Sequence, residues 1–274
     1  MCMRNLLFIT LSLMYFTSTG QKQSNENQII MKMNGAKENK MKVEIWSDIM
    51  CPFCYIGKRK FEAALASFPQ RDSVEVVWLS FQLDPSITYQ AGTDAYTYLA
   101  ERKGQTRSWS VQMHNSVAQS AKAVGLEYNF DIVKVANSFD AHRVIQLAKK
   151  HLLGNEIEER FFKAYFCEGA LMSDHETLVQ LAAEVGLDRE EVRNVLESQM
   201  YADEVRKDGE DARRFGANGV PFFVMDRKYA VSGAQDSSVF LETLTKAFND
   251  WKLNNQVFTD IPGGNVCTPA GECK

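Results

Sequence analysis

Strand-type sequence occupies only the two ends of this chain's patterned region, and the stretch between them reads as helix throughout. Lys42-Val43-Glu44-Ile45-Trp46 alternates and is rich in β-formers, so it predicts a strand. Cys51-Pro52-Phe53-Cys54 follows after a short link. Residues 55–68 then carry Ile56, Phe61, Ala64 and Leu65 as the rough apolar stripe of a helix. Pro52 suits the first turn of that helix, where no backbone donor is needed. Val74, Val76, Val77, Leu79 and Phe81 predict a second, largely buried strand over 74–83. From 85 to 216 only helical spacing appears. Met113, Val117, Ala121 and Val124 share a face that stops at Gly125. Ile145, Ala148 and Leu152 form another, ending near Gly154, and Ile157, Phe161 and Ala164 a third, ending near Gly169. Ser173-Asp174-His175-Glu176 reads as a capping box; Gly186 closes its helix, and Asp188 with Glu191 opens the next. Strands return at 222–225 and 228–232 around an Asp226-Arg227 turn. Phe240, Leu244 and Phe248 mark a last helix over 237–253.

This order predicts an α/β domain, formed by 41–84 and 217–253, split by an all-α insertion over 85–216. With 274 residues, 45% hydrophobic and 24% charged, the chain can bury a core without disulfide staples. A net charge of −4 argues against a nucleic-acid partner, which would favour a basic face. Residues 1–40 stand apart as a leader and linker. Arg4, the apolar run from Leu6 to Phe16, and Ser18 and Gly20 have the layout of a secretory signal, and the polar 21–40 reads as a disordered linker. The run is too short for a confident membrane span, so no stable membrane insertion is expected after leader removal. A start codon set too far upstream is the alternative, because Met31, Met33 and Met41 precede the first strand. A real signal implies a periplasmic or secreted protein; otherwise the chain is cytoplasmic. The tail over 254–274 is irregular and holds Cys267 and Cys273.

The chemistry sits at Cys51 and Cys54. Two cysteines three apart at a helix start put the first sulfur at the amino end and the second about one turn in, on nearly the same face. The free N–H groups and dipole of the helix favour a thiolate there. Cys51 is then the nucleophile that attacks a disulfide, and Cys54 the resolving thiol. The competing reading is half of a zinc site, but zinc wants four ligands, and the spacing of Cys267 and Cys273 is wide for a second pair. Neither a metal nor a cofactor is expected. Gly219-Val220-Pro221-Phe222 is the second candidate piece, because a proline opening a strand cannot donate to the ladder.

Taken together, these residues resemble the DsbA-like thioredoxin superfamily, and specifically the FrnE-like DsbA-family oxidoreductases. The resemblance runs from Met41 to about Trp251. It rests on the blocks 45–58, Ala141-His142-Arg143, 161–174 and 216–235. It implies a thioredoxin-like fold with an inserted helical subdomain. It also implies a cis-proline at Pro221 beside the cysteine pair, with Val220 offering backbone groups to an extended substrate. Pro52, Phe53, Val220 and Pro221 are then the substrate-binding residues. Protein or peptide dithiols and disulfides are the expected substrates, served by an unknown redox recycling partner. Related architectures include glutathione-dependent transferases and isomerases of small aromatic molecules, which typically carry serine where this chain has Cys51. Phe53 departs from DsbA itself, since it brings no imidazole to stabilise a thiolate, and so predicts a weaker oxidant.

Further candidates carry plainer readings. Cys267 and Cys273 are either a second redox pair that exchanges with Cys51 and Cys54 or a clip on the tail. Cys167 reads as a small buried hydrophobe. His114, His142, His151 and His175 show no metal spacing; His142 either lines the groove or sits on an ordinary helix face. Asp48, three residues before Cys51, either assists proton transfer to Cys54 or caps a turn. Phe161, Phe162, Tyr165 and Phe166 read as core packing of the helical block.

Overall fold

A computed structural model describes residues 40–255. The leader, most of the linker, and the tail cysteines Cys267 and Cys273 lie outside the described residues.

Strand β1 (Met41–Ser47) leads into helix α1 (Pro52–Ser67), and β2 (Val74–Ser80) follows after a short turn. Seven helices come next: α2 (Ala95–Lys103), α3 (Arg107–Lys122), α4 (Phe139–Lys150), α5 (Gly154–Glu168), α6 (His175–Glu184), α7 (Arg189–Leu196) and α8 (Ala202–Arg214). The chain then returns through β3 (Phe222–Met225), β4 (Tyr229–Ser232) and α9 (Ser237–Asn254). The four strands form one mixed sheet in the order β2-β1-β3-β4. β1 and β2 are parallel, joined by α1 as the crossover, and β3 runs antiparallel to both β1 and β4.

The alternation along β1 explains how the sheet is covered. Met41, Val43 and Ile45 point to one face and pack with Phe61 of α1, Phe68 just after it, and Phe240 and Phe248 of α9. Trp46 points the other way, against Phe215 and Phe222. The helical block is pinned to this second face by polar contacts. The Trp46 indole donates to the Asp208 carbonyl at 2.7 Å, and the Ser80 amide donates to the Asp208 carboxylate at 2.9 Å. The Gln146 amide donates to both Ser80 Oγ (3.0 Å) and Asp208 Oδ2 (2.6 Å), so α4 and α8 are held to the end of β2.

Three local readings need correction. The second strand is an edge strand, largely half-buried, and it ends at Ser80; a β-branched run alone cannot distinguish an edge from a centre. The cap before α6 is Asp174, not Ser173: Asp174 is extended and its carboxylate accepts from the Thr177 amide. Gly154 opens α5 rather than closing α4, which ends at Lys150 with His151 as its cap. The stops at Gly169 and Gly186 fall as the spacing predicts, with φ of 68° and 100°. At Gly169 a side chain would also meet the Ile132 carbonyl at 2.7 Å.

Candidate active site

β1 delivers the chain to a tight turn before the cysteines. Asp48 builds that turn: its carboxylate accepts from the Met50 amide (3.2 Å) and the Leu83 amide (2.8 Å), and its carbonyl accepts from the Cys51 amide (2.9 Å). The capping alternative for Asp48 is therefore seen directly. Cys51 is the extended N-cap residue of α1, and Pro52 opens the first turn. The Cys51 side chain does not cap its own helix. It reaches across to the loop before β3, where its thiol donates to the Val220 carbonyl at 3.4 Å. The Val220–Pro221 bond is cis. The Gly233 amide donates to the Pro221 carbonyl at 2.8 Å and fixes that loop to β4. Gly57, on the same face of α1, permits the approach, because a side chain there would meet Pro221 Cγ at 3.0 Å.

Both cysteines are free and buried. Phe53, between them, is 45% exposed. Burial pushes the Cys54 thiol well up, and neighbouring Cys51 adds to it; the Asp48 amide and the Ser47 hydroxyl act the other way. Tyr128, from the α3–α4 connection, donates to the Pro52 carbonyl at 2.7 Å and stacks on Tyr55 and Phe166. Burial pushes the Tyr128 hydroxyl far up, so it stays a neutral donor. Beside the motif lies a cavity of about 260 Å³, whose walls include Met50, Pro52, Leu83, Tyr98, Phe130 and Phe166.

Behind the cysteines the interior is polar. Lys58, four residues after Cys54 on the same helix face, is buried and pairs with Glu62 and, at 3.0 Å, with Glu159. Burial alone would raise Glu159, but hydrogen bonds from Arg59 and Tyr55 hold its carboxyl at about 2. His142 is fully buried, with Nε2 3.5 Å from Asp48 Oδ1. It sits on the buried face of α4 and lines no open groove. Glu158 is buried nearby, and burial pushes its carboxyl up to about 7.

The other histidines are elsewhere: His114 packs against Phe130 and Tyr96, His151 pairs with Glu191 and His175 with Asp140. Phe161, Phe162, Tyr165 and Phe166 lie in the helical core, and Cys167 is half-buried at its margin. Among the described residues no cluster of three or more His, Cys, Asp or Glu is arranged to hold a metal ion.

Tyr128, Lys58 and Glu158 escape a reading of the sequence. Two of them leave a trace. Lys58 interrupts the stripe from Cys54 to Phe61, and Glu158 heads the row Phe161, Phe162 and Tyr165 at helical spacing. A charge on an apolar stripe marks a buried polar side chain. Tyr128 leaves none, because its partner is a backbone carbonyl far away in sequence.

The model of the DSBA-like thioredoxin domain matches residues 42–245. The chain is 30% identical over 205 residues to the uncharacterized protein YwbO of Bacillus subtilis (strain 168), covering 74% of this chain and 95% of that one. Among solved structures it is similar to a probable DsbA oxidoreductase from Streptomyces coelicolor, at 41% identity and a TM-score of 0.73. That match covers 85% of this chain and 98% of the other. It also shares its fold with the cytosolic disulfide reductase DsbM from Pseudomonas aeruginosa, at 17% identity and a TM-score of 0.54, over 78% of this chain and 99% of that one.

Proposed function

This chain belongs to the DsbA-like thioredoxin family, and from that premise we propose that it is a thiol–disulfide oxidoreductase acting on protein or peptide thiols, with Cys51 attacking and Cys54 resolving. The observation that carries this reading is the contact between Cys51 Sγ and the Val220 carbonyl, with Cys54 buried one helical turn behind. An extended peptide paired with the backbone at Val220 would bring its own sulfur to Cys51, the outer member of the pair. In the oxidising direction a substrate thiolate attacks Cys51, and the Cys51–Cys54 bond breaks. Cys54 leaves as the thiolate and takes a proton. The second substrate thiol then displaces Cys51, and the substrate leaves as a disulfide. Two electrons and two protons pass to the protein. Reduction is the reverse sequence, with Cys54 displacing the substrate from Cys51. The cavity beside Met50 and Pro52 offers room for an apolar side chain flanking the substrate cysteine.

Cys54→Ser tests the assignment. That variant is expected to accumulate a stable mixed disulfide with a cysteine-containing peptide disulfide, seen by intact mass and mapped to Cys51. Failure to trap an adduct on Cys51 overturns the reading.

The direction of flow follows from the potential. Phe53 supplies no positive charge or imidazole beside Cys51, so the reduced pair gains less stabilisation than in DsbA. Equilibration with glutathione is expected to place the pair below the roughly −120 mV of DsbA, toward the roughly −270 mV of thioredoxin. A value at or above that of DsbA contradicts this role for Phe53.

A further inference from the structure

Tyr128 ties the inserted helical block to the motif through its hydroxyl, which donates to the Pro52 carbonyl at 2.7 Å, between the two cysteines. The ring has other contacts to hold it in place. It stacks on Phe166, with centroids 4.5 Å apart, and on Tyr55 at 6.1 Å, and it packs edge to face with Phe130 at 5.6 Å. Burial keeps the hydroxyl neutral, and charge on Cys51 or Cys54 is felt at it.

The hydroxyl acts on one peptide group. The Pro52 carbonyl and the Phe53 amide are the two ends of that planar unit. Cys51 is the N-cap of α1, so Phe53 stands at the second helical position. A side chain at an N-cap accepts from the amides of the second and third positions. The third, that of Cys54, already donates to the Cys51 carbonyl at 2.9 Å. Pro52, at the first, has no N–H. The Phe53 amide is left for the Cys51 sulfur. As a thiol, Cys51 donates to the Val220 carbonyl. As a thiolate it has no proton to give and needs a donor of its own, which the Phe53 amide supplies. A hydrogen bond to one end of a peptide group polarises it and strengthens the donor at the other end.

We propose that Tyr128 is a positioning residue for the Cys51 thiolate: by donating to the Pro52 carbonyl, it strengthens the Phe53 amide as the donor to the sulfur. The proposal rests on the exchange reading above and adds no step to it. In oxidation the second substrate thiolate attacks the substrate sulfur of the mixed disulfide, and the electron pair of the broken bond leaves on Cys51. In reduction the pair on Cys51 attacks one sulfur of a substrate disulfide, and the other sulfur leaves as the thiolate. Tyr128 keeps its proton throughout and acts through the Pro52–Phe53 peptide. Only the dithiol form carries a Cys51 thiolate, so the hydroxyl favours that form over the disulfide.

The test compares two replacements of Tyr128 in the full chain by equilibration with reduced and oxidised glutathione at about pH 8. After acid quench, the dithiol and disulfide forms are counted by mass spectrometry on the tryptic peptide 43–58, which holds both Cys51 and Cys54 and none of the other cysteines. Tyr128→Phe removes the hydroxyl and keeps the ring on Phe166 and Tyr55. Its equilibrium constant is expected to favour the disulfide about twofold to threefold more than that of the native chain. Tyr128→3-fluorotyrosine keeps the hydroxyl but makes it a more acidic, stronger donor. It is expected to shift the constant the other way, toward the dithiol. A folded Tyr128→Phe with the native constant overturns the proposal. So does a shift of both variants in the same direction, which is what disturbed packing alone would give. If Tyr128→Phe does not fold, Tyr128→3-fluorotyrosine decides by itself, and a native constant there overturns the proposal. Failure of the exchange reading itself is separate, and shows as the absence of any adduct on Cys51 in Cys54→Ser.

Discussion

Cys51→Ser is expected to lower the turnover of a disulfide substrate by on the order of 10³-fold or more while leaving the fold intact. Exchange needs a sulfur anion that attacks a sulfur and later leaves it. A serine hydroxyl at the same place stays protonated near neutral pH and forms no disulfide. Cys54 cannot take over, because it is buried one turn deeper than Cys51 and its thiol is pushed well up. The structural cost is small. Serine keeps a donor for the Val220 carbonyl, and the Cys51 amide still donates to Asp48. A melting curve within about 1 kcal/mol of the native chain should accompany the loss. Insulin reduction by dithiothreitol, followed by turbidity, reads the activity. Retained activity in Cys51→Ser would remove the dithiol from the mechanism and turn attention to holding an apolar peptide.

The outer architecture was legible because its signals are local. A strand, a motif, a helix and a later Pro-strand-turn-strand each occupy short windows, and the apolar spacing between them switches cleanly to helical. Cys51, Cys54 and Pro221 could be named for the same reason. What the spacing could not show depends on who sits opposite. β2 reads like a central strand, yet among the described residues no strand pairs with its second edge. Ser173 and Asp174 are both good caps, and the backbone conformation selects Asp174. From its spacing His142 reads as a groove residue or an ordinary helix-face residue. Nothing local in α4 reveals that Asp48, from another element, lies opposite its ring. Tyr128 and Pro52 meet only because the helical block folds back over the start of α1.

Arg143, next to His142 in the block Ala141-His142-Arg143, should give the largest loss of stability of any single polar change. It is 2% exposed, and its guanidinium is spread over four acceptors. Nε donates to the Met200 carbonyl at 2.9 Å, Nη1 to Asp140 at 2.8 Å, and Nη2 to the carbonyls of Val195 and Ser198. Val195 lies in the last turn of α7, and its carbonyl also accepts from the Ser198 amide and hydroxyl. One side chain from α4 therefore closes the end of α7 and holds the connection to α8. Arg143→Met keeps much of the bulk but takes the guanidinium donors away from the Met200, Val195 and Ser198 carbonyls and from Asp140. The expected cost is about 3–5 kcal/mol, the usual scale for removing one partner from a buried charged network. Midpoints of thermal unfolding should fall by roughly 10 °C. Arg143→Lys should recover only part of this, because an ammonium is a point donor and cannot reproduce the planar fork. Exchange by the folded fraction should stay near native, since Cys51, Cys54 and Val220 are untouched. An Arg143→Met chain that melts within about 2 °C of native would show the network to be worth no more than a surface contact. A stable variant with slowed exchange would instead move Arg143 from scaffold to active site.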